Sequence, residues 1–218
     1  MEAQVEQSVA IEERQHSKLD LKAYIGEFVY GGIDGSVTTF AVVAGSTGAS
    51  LETSVILILG FANLIADGFS MSVGDFFSTK ATIDNYHKHK NKTCQAIEAR
   101  PEAEREAVRG IYRQKGLQGQ ELESVVQAIT SDPDMWVDVK MKEELEMQKE
   151  TRSPFSTAGV TFGSFVLVGL IPLMAYVLNY ASGIGSENMF LTSSIMTGVA
   201  FGLIGLLKSY VTDTDQAK

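Results

Sequence analysis

Charged residues occur in blocks along the chain, and two long apolar segments lie between those blocks. No Lys or Arg occurs from Ala23 to Thr79 or from Ser153 to Leu207. Each segment of about 55 residues has room for two helices of roughly 20 residues, the length that crosses a bilayer. The pattern predicts an all-α integral membrane protein with four transmembrane helices, at Ile25–Gly45, Ser54–Phe77, Ala158–Tyr180 and Met189–Val211.

The distribution of basic residues predicts the orientation of these helices. The joining segments inside each apolar half contain no Lys or Arg, whereas 13 of the 18 basic residues lie between Lys80 and Arg152. Because basic loops stay in the cytoplasm, we expect the N-terminal tail (1–24), the central block and the C-terminal tail (212–218) to be cytoplasmic. Residues 1–22 lack the apolar core of a signal peptide, so the first span is expected to target the chain.

The central block, residues 80–153, separates the helix pair at 25–79 from the pair at 154–211. The second span is expected to continue into it as a helix, and Pro101 and Pro133 are suited to open two further helices. Leu122, Val126 and Ile129 follow a helical spacing in between. We expect a small cytoplasmic helical domain inserted between the second and third spans.

Composition excludes several classes of protein. The single cysteine, Cys94, excludes an intrachain disulfide framework, and the net charge of −9 argues against nucleic acid as a partner. No paired His/Glu metal motif, nucleophile elbow or phosphate loop occurs. We therefore expect a protein that is not an enzyme and has no tightly bound cofactor.

Four acidic residues lie at or inside the first two spans: Glu27, Asp34, Asp67 and Asp75. Unpaired carboxylates in hydrocarbon cost a few kcal/mol on insertion scales, and such residues commonly mark a pathway. On a helix, Asn63, Asp67, Met71 and Asp75 form one stripe, because they follow one another at four-residue steps. Glu27 and Asp34 likewise share a face of the first span, so the two stripes are expected to line one groove.

The chemistry of this groove suits a cation. Carboxylates bind many divalent ions, and the Met71 thioether favours transition metals such as Fe²⁺ over Mg²⁺ or Ca²⁺. Other interpretations remain: Asp34 and Asp67 as buried structural groups, Glu27 and Asp75 reaching water from the span ends, and Met71 as a core residue.

The central block contains a second candidate site. Met141 and Glu144 lie three residues apart, and Glu102, Glu104 and Glu106 begin another helix. These side chains predict a carboxylate–thioether metal site, and the alternative is a solvated acidic face.

The second apolar half is expected to be scaffold. It contains one acidic residue, Glu187, expected in an outer loop. Its glycine pairs, Gly159 with Gly163 and Gly198 with Gly202, have the spacing that lets helices approach closely in lipid.

Three segments together resemble the vacuolar iron transporter family, which includes the yeast calcium-cross-complementing iron and manganese carriers. They are IGEFVYGGIDGSVTTFAVVAGSTGAS, GFANLIADGFSMSVGDFFSTKA and VTFGSFVLVGLIPLMAY, and the resemblance covers about residues 24–211. It implies a homodimeric carrier in the lipid bilayer that moves Fe²⁺, often also Mn²⁺, out of the cytosol in exchange for protons. It also implies that Asp34, Met71 and Glu27 match pore residues, and that the membrane is vacuolar in a eukaryote and the plasma (inner) membrane in a prokaryote.

The resemblance also implies a metal-collecting cytoplasmic domain. Glu104, Met141 and Glu144 fall on its ligand positions, whereas Thr93, Ala96, Ala107 and Lys140 fall on others and lack ligand chemistry. This favours a degenerate metal-binding domain, in which the three remaining ligands hold at most one ion weakly.

The family usually has five spans, whereas this chain ends after the fourth. Either a final span is missing or the protein works without it; in the first case we expect the remaining helices to pair through the face of the first span that contains Gly31 and Gly35. The alternative function is a non-transporting homologue of the same fold that senses metal or binds a partner.

Overall fold

The computed structural model describes residues 21–182 and 188–211, and within them the chain forms helices and no strand. Residues 1–20 and 212–218 of the predicted tails and the predicted loop residue Glu187 lie outside the described residues. A short 3₁₀ turn, Leu21–Tyr24, precedes the first helix, and a π turn, Lys140–Glu144, follows the fifth. The helices are α1 (Ile25–Gly48), α2 (Thr53–Ala99), α3 (Pro101–Gln114), α4 (Gly119–Thr130), α5 (Pro133–Val139), α6 (Pro154–Gly169), α7 (Ile171–Ser182) and α8 (Met189–Val211).

The chain divides into two compact units. The membrane unit comprises the residues up to Phe77 together with those from Arg152 onward, and the middle unit comprises Ser78–Thr151. The long helix α2 contributes to both, as expected from its apolar first half and charged second half. That the middle unit is cytoplasmic stays a prediction.

Within the described residues, three helices are long and apolar enough to cross a membrane: α1, α2 and α8. Helices α6 and α7 meet the same criteria as a pair, with a bend of 51° between them. The predicted third span, Ala158–Tyr180, is therefore interrupted. The cause is Pro172, which has no N–H to donate to the carbonyl of Val168 and whose ring collides with that carbonyl in a straight helix.

Helix α6 packs against α1 at two glycines. A Cβ on Gly35 would lie 2.9 Å from the Cα of Phe165, and a Cβ on Gly31 would lie 2.7 Å from the carbonyl oxygen of Thr161. Both glycines are buried within one copy of the chain. The expected close helix contact at Gly31 and Gly35 is therefore confirmed, and the partner helix is α6.

The other glycine pairs have no such role within one copy. A Cβ on any of Gly159, Gly163, Gly198 or Gly202 would meet nothing within 4 Å. The expected close approach of helices at these positions does not occur within the described part of the chain. Instead, Gly60 and Gly68 of α2 make room for Leu173 and for two aromatic rings, those of Phe162 and Phe165.

Two apolar clusters hold the middle unit together. The larger one joins α3, α4 and α5 through Val108, Leu122, Val126, Ile129 and Trp136. Asp132 caps α5: its side chain accepts hydrogen bonds from the backbone N–H groups of Asp134 and Met135. The predicted helices opened by Pro101 and Pro133 are confirmed.

The contact at Gly35 provides a stability test. Gly35→Ala is expected to destabilise the protein by about 1–3 kcal/mol, because the methyl group forces α1 and α6 apart. Gly159→Ala is the matched control: its site is open, so the substitution is expected to be neutral or slightly stabilising, as for alanine in a helix. Thermal unfolding of both variants in detergent measures the difference, and equal unfolding temperatures would contradict the assigned packing.

Candidate functional site

The hairpin of α1 and α2 sets the register of the acidic residues. Its loop is Ala49–Glu52, and Thr38 and Asn63 are equally far from it along the chain. The Asn63 amide Nδ2 donates a hydrogen bond to Thr38 Oγ1 at 3.3 Å, and Thr38 Oγ1 donates to the backbone oxygen of Asp34 at 2.9 Å. The two helices therefore meet at this level.

Asp34 and Asp67 lie one helical turn beyond that hydrogen bond, at matching heights on the two helices. Asp34 is half-buried and Asp67 is exposed on the surface of the single chain. Among the described residues, no Lys or Arg forms an ion pair with either one. The hairpin thus brings two uncompensated carboxylates close together inside an apolar segment.

Asp75 and Glu27 lie farther from the loop, and each has a partner. Thr161 Oγ1 of α6 donates a hydrogen bond to Asp75 Oδ2. Arg152 Nη1 forms an ion pair with Glu27 Oε1. These carboxylates are therefore compensated within the chain, unlike Asp34 and Asp67.

Met71 is partly buried and packs against the apolar cluster that includes Leu64, Phe165 and Tyr176. It lies one helical turn beyond Asp67 on α2. Met71 therefore contributes to the core of the membrane unit.

In the part of the chain that the structure describes, no three His, Cys, Asp or Glu side chains converge into a group able to hold a metal ion. The predicted membrane residues Glu27, Asp34, Met71, Asp67 and Asp75 are spread along the hairpin. The structure brings Asp34 and Asp67 together and leaves Glu27 and Asp75 on separate partners.

In the middle unit, an ammonium group contacts two of the predicted metal ligands. Lys140 Nζ lies 2.5 Å from Glu104 Oε2 and also pairs with Glu144 Oε2. The side chains of Lys140 and Glu104 are 5% and 12% exposed. Burial acts to lower the pKa of Lys140, but its hydrogen bonds to Glu104 and Glu144 outweigh burial and raise it. Lys140 therefore stays charged and supplies the positive charge that a metal ion would supply.

Met141, the third predicted ligand of this unit, is fully buried with Tyr86 and Val137. Its sulfur accepts a weak hydrogen bond from Thr93 Oγ1 at 3.8 Å. The backbone explains the arrangement: the π turn holds Lys140 and Glu144 together on one side of a cavity of about 260 Å³, and Glu104 lines the same cavity. Met141 packs as a core residue.

The neighbouring glutamates of α3 also have basic partners. Glu102 pairs with Arg105, and Glu106 pairs with Arg109, which also binds Glu123. Hydrogen bonds to Glu123 and Glu106 raise the pKa of Arg109, and the hydrogen bond from Arg109 lowers the pKa of Glu123. The start of α3 is thus an ion-paired surface.

Sequence reasoning missed two residues that contact acids of the α1–α2 hairpin, Arg152 and Thr161. Arg152 is the last basic residue before the third span, and its position next to a buried acid was not readable from spacing. Thr161 belongs to a buried hydroxyl stripe on α6 with Thr157 and Ser164. That helical spacing of hydroxyls in an apolar segment was a signal that polar partners face α6.

Removal of the Lys140 ammonium is expected to destabilise the middle unit. Lys140→Met leaves Glu104 with only the exposed Arg100 at 3.6 Å, so the loss is expected to approach the roughly 3–5 kcal/mol of a broken buried pair. Lys142→Met is the matched control, because Lys142 and Asp138 are 57% and 51% exposed and such pairs contribute about 0–1 kcal/mol. Trp136, the single tryptophan, lies in the core of this unit, so denaturant unfolding followed by its fluorescence reports on the unit within the full chain. Equal losses of unfolding free energy in the two variants would contradict the assignment of Lys140 as the buried counter-charge of Glu104.

The same pair predicts a pH dependence. The folded-state pKa of Lys140 is raised, so its stabilisation is fully present below the unfolded value, about 10.4, and is lost as the pH rises through the folded value. We expect the stability difference between the wild type and Lys140→Met to be constant from pH 7 to about 10 and to shrink above that range. A difference that already shrinks near neutral pH would show that another group is responsible.

Comparisons with known proteins agree with this architecture. A sequence profile of the VIT family matches residues 25–218. Vacuolar iron transporter 2 of Oryza sativa subsp. japonica is 28% identical over 207 residues, covering 94% of this chain and 82% of that protein. Vacuolar iron transporter 1 of Eucalyptus grandis is 28% identical over 214 residues, covering 98% and 84%. Vacuolar iron transporter 1 of Oryza sativa subsp. japonica is 30% identical over 189 residues, covering 86% and 73%. These relatives are named as transporters, in line with the expectation that the chain is not an enzyme, and the chain belongs to the VIT family.

Proposed function

We propose that this membrane protein transports Fe²⁺, and also Mn²⁺, out of the cytosol in exchange for protons. The observation that carries the proposal is the pair Asp34 and Asp67, two carboxylates at one level of an apolar hairpin with no Lys or Arg partner among the described residues. The names of the matched relatives, vacuolar iron transporters, support iron as the transported ion.

A bound cation stabilises the pair of carboxylates, Asp34 and Asp67. Two ionised carboxylates at one level of a low-dielectric segment repel each other, and a divalent ion between them removes both the repulsion and the cost of desolvation. Asp34 and Met71 ligate the ion in this proposal, and the thioether gives the site its preference for a transition metal. Asp67 shares the charge of the bound ion.

Protons are the natural exchange partner at such a site. When the metal leaves, a low-dielectric environment favours the neutral form of a carboxyl group, so a proton takes the place of the ion. Glu27 and Asp75, nearer the cytoplasmic ends of α1 and α2, carry the ion and the proton toward the site. Exchange follows because metal and proton compete for the same oxygens.

The functional form is a homodimer. Asp67 is exposed on the single chain, in the middle of a span where a carboxylate facing lipid is costly. One copy brings only two carboxylates together, fewer ligands than a divalent ion takes. A second copy facing the same side of the hairpin covers Asp67 and doubles the number of oxygens. This arrangement leaves Gly31 and Gly35 in their contacts with α6.

The proposed topology places the N-terminus and the middle unit in the cytoplasm, on the side where Glu27 and Asp75 lie. The membrane is the vacuolar membrane in a eukaryote and the inner membrane in a prokaryote.

The alternative, a homologue that senses metal or binds a partner without transport, is not favoured, because the matched relatives are named as transporters. In addition, Lys140 already neutralises the carboxylates on which metal sensing by the middle unit would depend.

Transport by reconstituted protein tests the proposal. Purified full chain in proteoliposomes is expected to take up Fe²⁺ and Mn²⁺ when a proton gradient is imposed. Asp34→Ala is expected to reduce the rate of uptake at least about 100-fold, and Met71→Ala about tenfold, because each substitution removes a side chain that binds the ion during transport. Glu52→Ala, an exposed acid in the loop after α1, is the matched control and is expected to transport like the wild type.

Two results would count against the proposal. Equal uptake by Asp34→Ala and Glu52→Ala would show that the transported ion does not bind at Asp34 in the α1–α2 hairpin. Metal binding without uptake, by wild-type protein that is correctly inserted and dimeric, would favour the non-transporting alternative.

A further inference from the structure

The carboxylate of Asp75 meets helix α6 at a buried hydroxyl group. Thr161 Oγ1 donates a hydrogen bond to Asp75 Oδ2; Thr161 is fully buried, whereas Asp75 is partly exposed. A hydroxyl group is neutral, so this bond satisfies one oxygen but supplies no counter-charge. Within the described residues, no Lys or Arg forms an ion pair with Asp75. Asp75 is thus an acid that the protein orients without pairing it with a cation.

The contacts around Thr161 fix its position. Its carbonyl oxygen lies against α1, where a Cβ on Gly31 would come within 2.7 Å of it. On the α2 side, Ser72 Oγ donates a hydrogen bond to the carbonyl oxygen of Ala158 at 2.9 Å. Ser72 lies three residues before Asp75, and Ala158 lies three residues before Thr161, so two hydrogen bonds join α2 to α6 in this region. The helix packing therefore holds the hydroxyl next to Asp75.

The groups at Asp75 suit a proton better than a metal ion. One carboxylate and one hydroxyl offer fewer oxygens than a divalent ion takes. A proton needs only one oxygen, and because Thr161 engages Oδ2, the other oxygen, Oδ1, is left to bind and release it. The proton moves between Oδ1 and water while the Thr161 proton stays on Oγ1. The carboxylate therefore returns to its starting form after each transfer.

We propose that Thr161 is a positioning residue for proton transfer at Asp75: its hydroxyl holds one carboxylate oxygen in place while the other accepts and releases protons. This inference rests on the proposed transport function, in which protons enter the cytosol as the metal leaves. Asp75 lies nearer the cytoplasmic end of α2 than Asp67 does, so it is the acid from which those protons reach the cytoplasm. Because orientation of a reacting group acts on rate, Thr161 sets the speed of this step and does not bind the metal ion.

Uptake of Mn²⁺ into proteoliposomes under an imposed proton gradient tests the proposal. Thr161→Val keeps the branched shape of threonine but removes the hydroxyl, and it is expected to lower the maximal rate about tenfold, the effect of losing one hydrogen bond to a charged group. The half-saturating Mn²⁺ concentration is expected to stay within about twofold of the wild type, because Thr161 does not bind the metal. Thr161→Ser keeps the hydroxyl and is expected to restore most of the rate.

Thr157→Val is the matched control. Thr157 lies one helical turn before Thr161 and is also buried, but its hydroxyl donates to the carbonyl oxygen of Ser153 at 3.0 Å and contacts no acid. This variant is expected to transport like the wild type, so equal rate losses in Thr157→Val and Thr161→Val would overturn the proposal. A failure of Thr161→Ser to restore the rate would overturn it as well. If Thr161→Val does not fold, Thr161→Ala, which also lacks the hydroxyl, takes its place.

Infrared difference spectra distinguish this proposal from the proposed function. The full chain in detergent is compared between two pH values that bracket carboxyl protonation, and the C=O band that is lost in Asp75→Asn belongs to Asp75. That band is expected to shift in Thr161→Val and to return in Thr161→Ser, even if no variant transports metal, in which case the proposed function fails and Thr161 still positions a proton-binding acid. An unchanged band, or normal uptake by Thr161→Val, would sink the positioning role and leave the transporter intact.

Discussion

An ionised carboxylate surrounded by apolar groups needs a compensating partner, and this constraint decides the role of each acid in the chain. Glu27 has Arg152, Asp75 has the hydroxyl of Thr161, and Glu104 has Lys140. Asp34 and Asp67 have no such partner within the described residues, although the register of the hairpin places them at the same level. A cation from outside the chain stabilises this pair most, since Glu27, Asp75 and Glu104 already have a counter-charge or a hydrogen-bond donor.

The hydrogen-bond partners of the neighbouring groups depend in turn on close helix packing. Without side chains at Gly31 and Gly35, α6 approaches α1 closely enough for Thr161 and Ser164 to reach the acidic hairpin. Gly60 and Gly68 do the same for α2, where they leave room for Leu173 and Phe165. The bend before α7 follows from Pro172, and Ser193 Oγ donates to the carbonyl oxygen of this proline at 2.7 Å. Small residues and one proline thus place the polar groups that the acids need.

Sequence patterns predicted helices well because helix formation here depends on local signals. The apolar segments predicted the spans, and Pro101 and Pro133 marked helix starts that the structure contains. Partners were harder to predict, because they depend on which helix faces meet. Arg152 is 125 residues from Glu27, and the spacing of glycines predicted close contacts equally at Gly31, where one occurs, and at Gly198, where none occurs within one copy. Lys140 was readable as a cation among ligand positions, but its burial required the π turn.

The two internal cations have different consequences because their surroundings differ. Lys140 is 5% exposed and forms ion pairs with two carboxylates. An entering metal ion would have to displace the Lys140 ammonium group from them, and the adjoining cavity is also lined by two other basic residues, His89 and Lys92. Arg152 is 36% exposed and binds Oε1 of Glu27, so this ion pair lies nearer to water than that of Lys140. The first is a buried structural ion pair, and the second is a partly exposed one. A metal ion is therefore expected to bind in the membrane unit at Asp34 and Asp67, where no ion pair with a described Lys or Arg has to be broken.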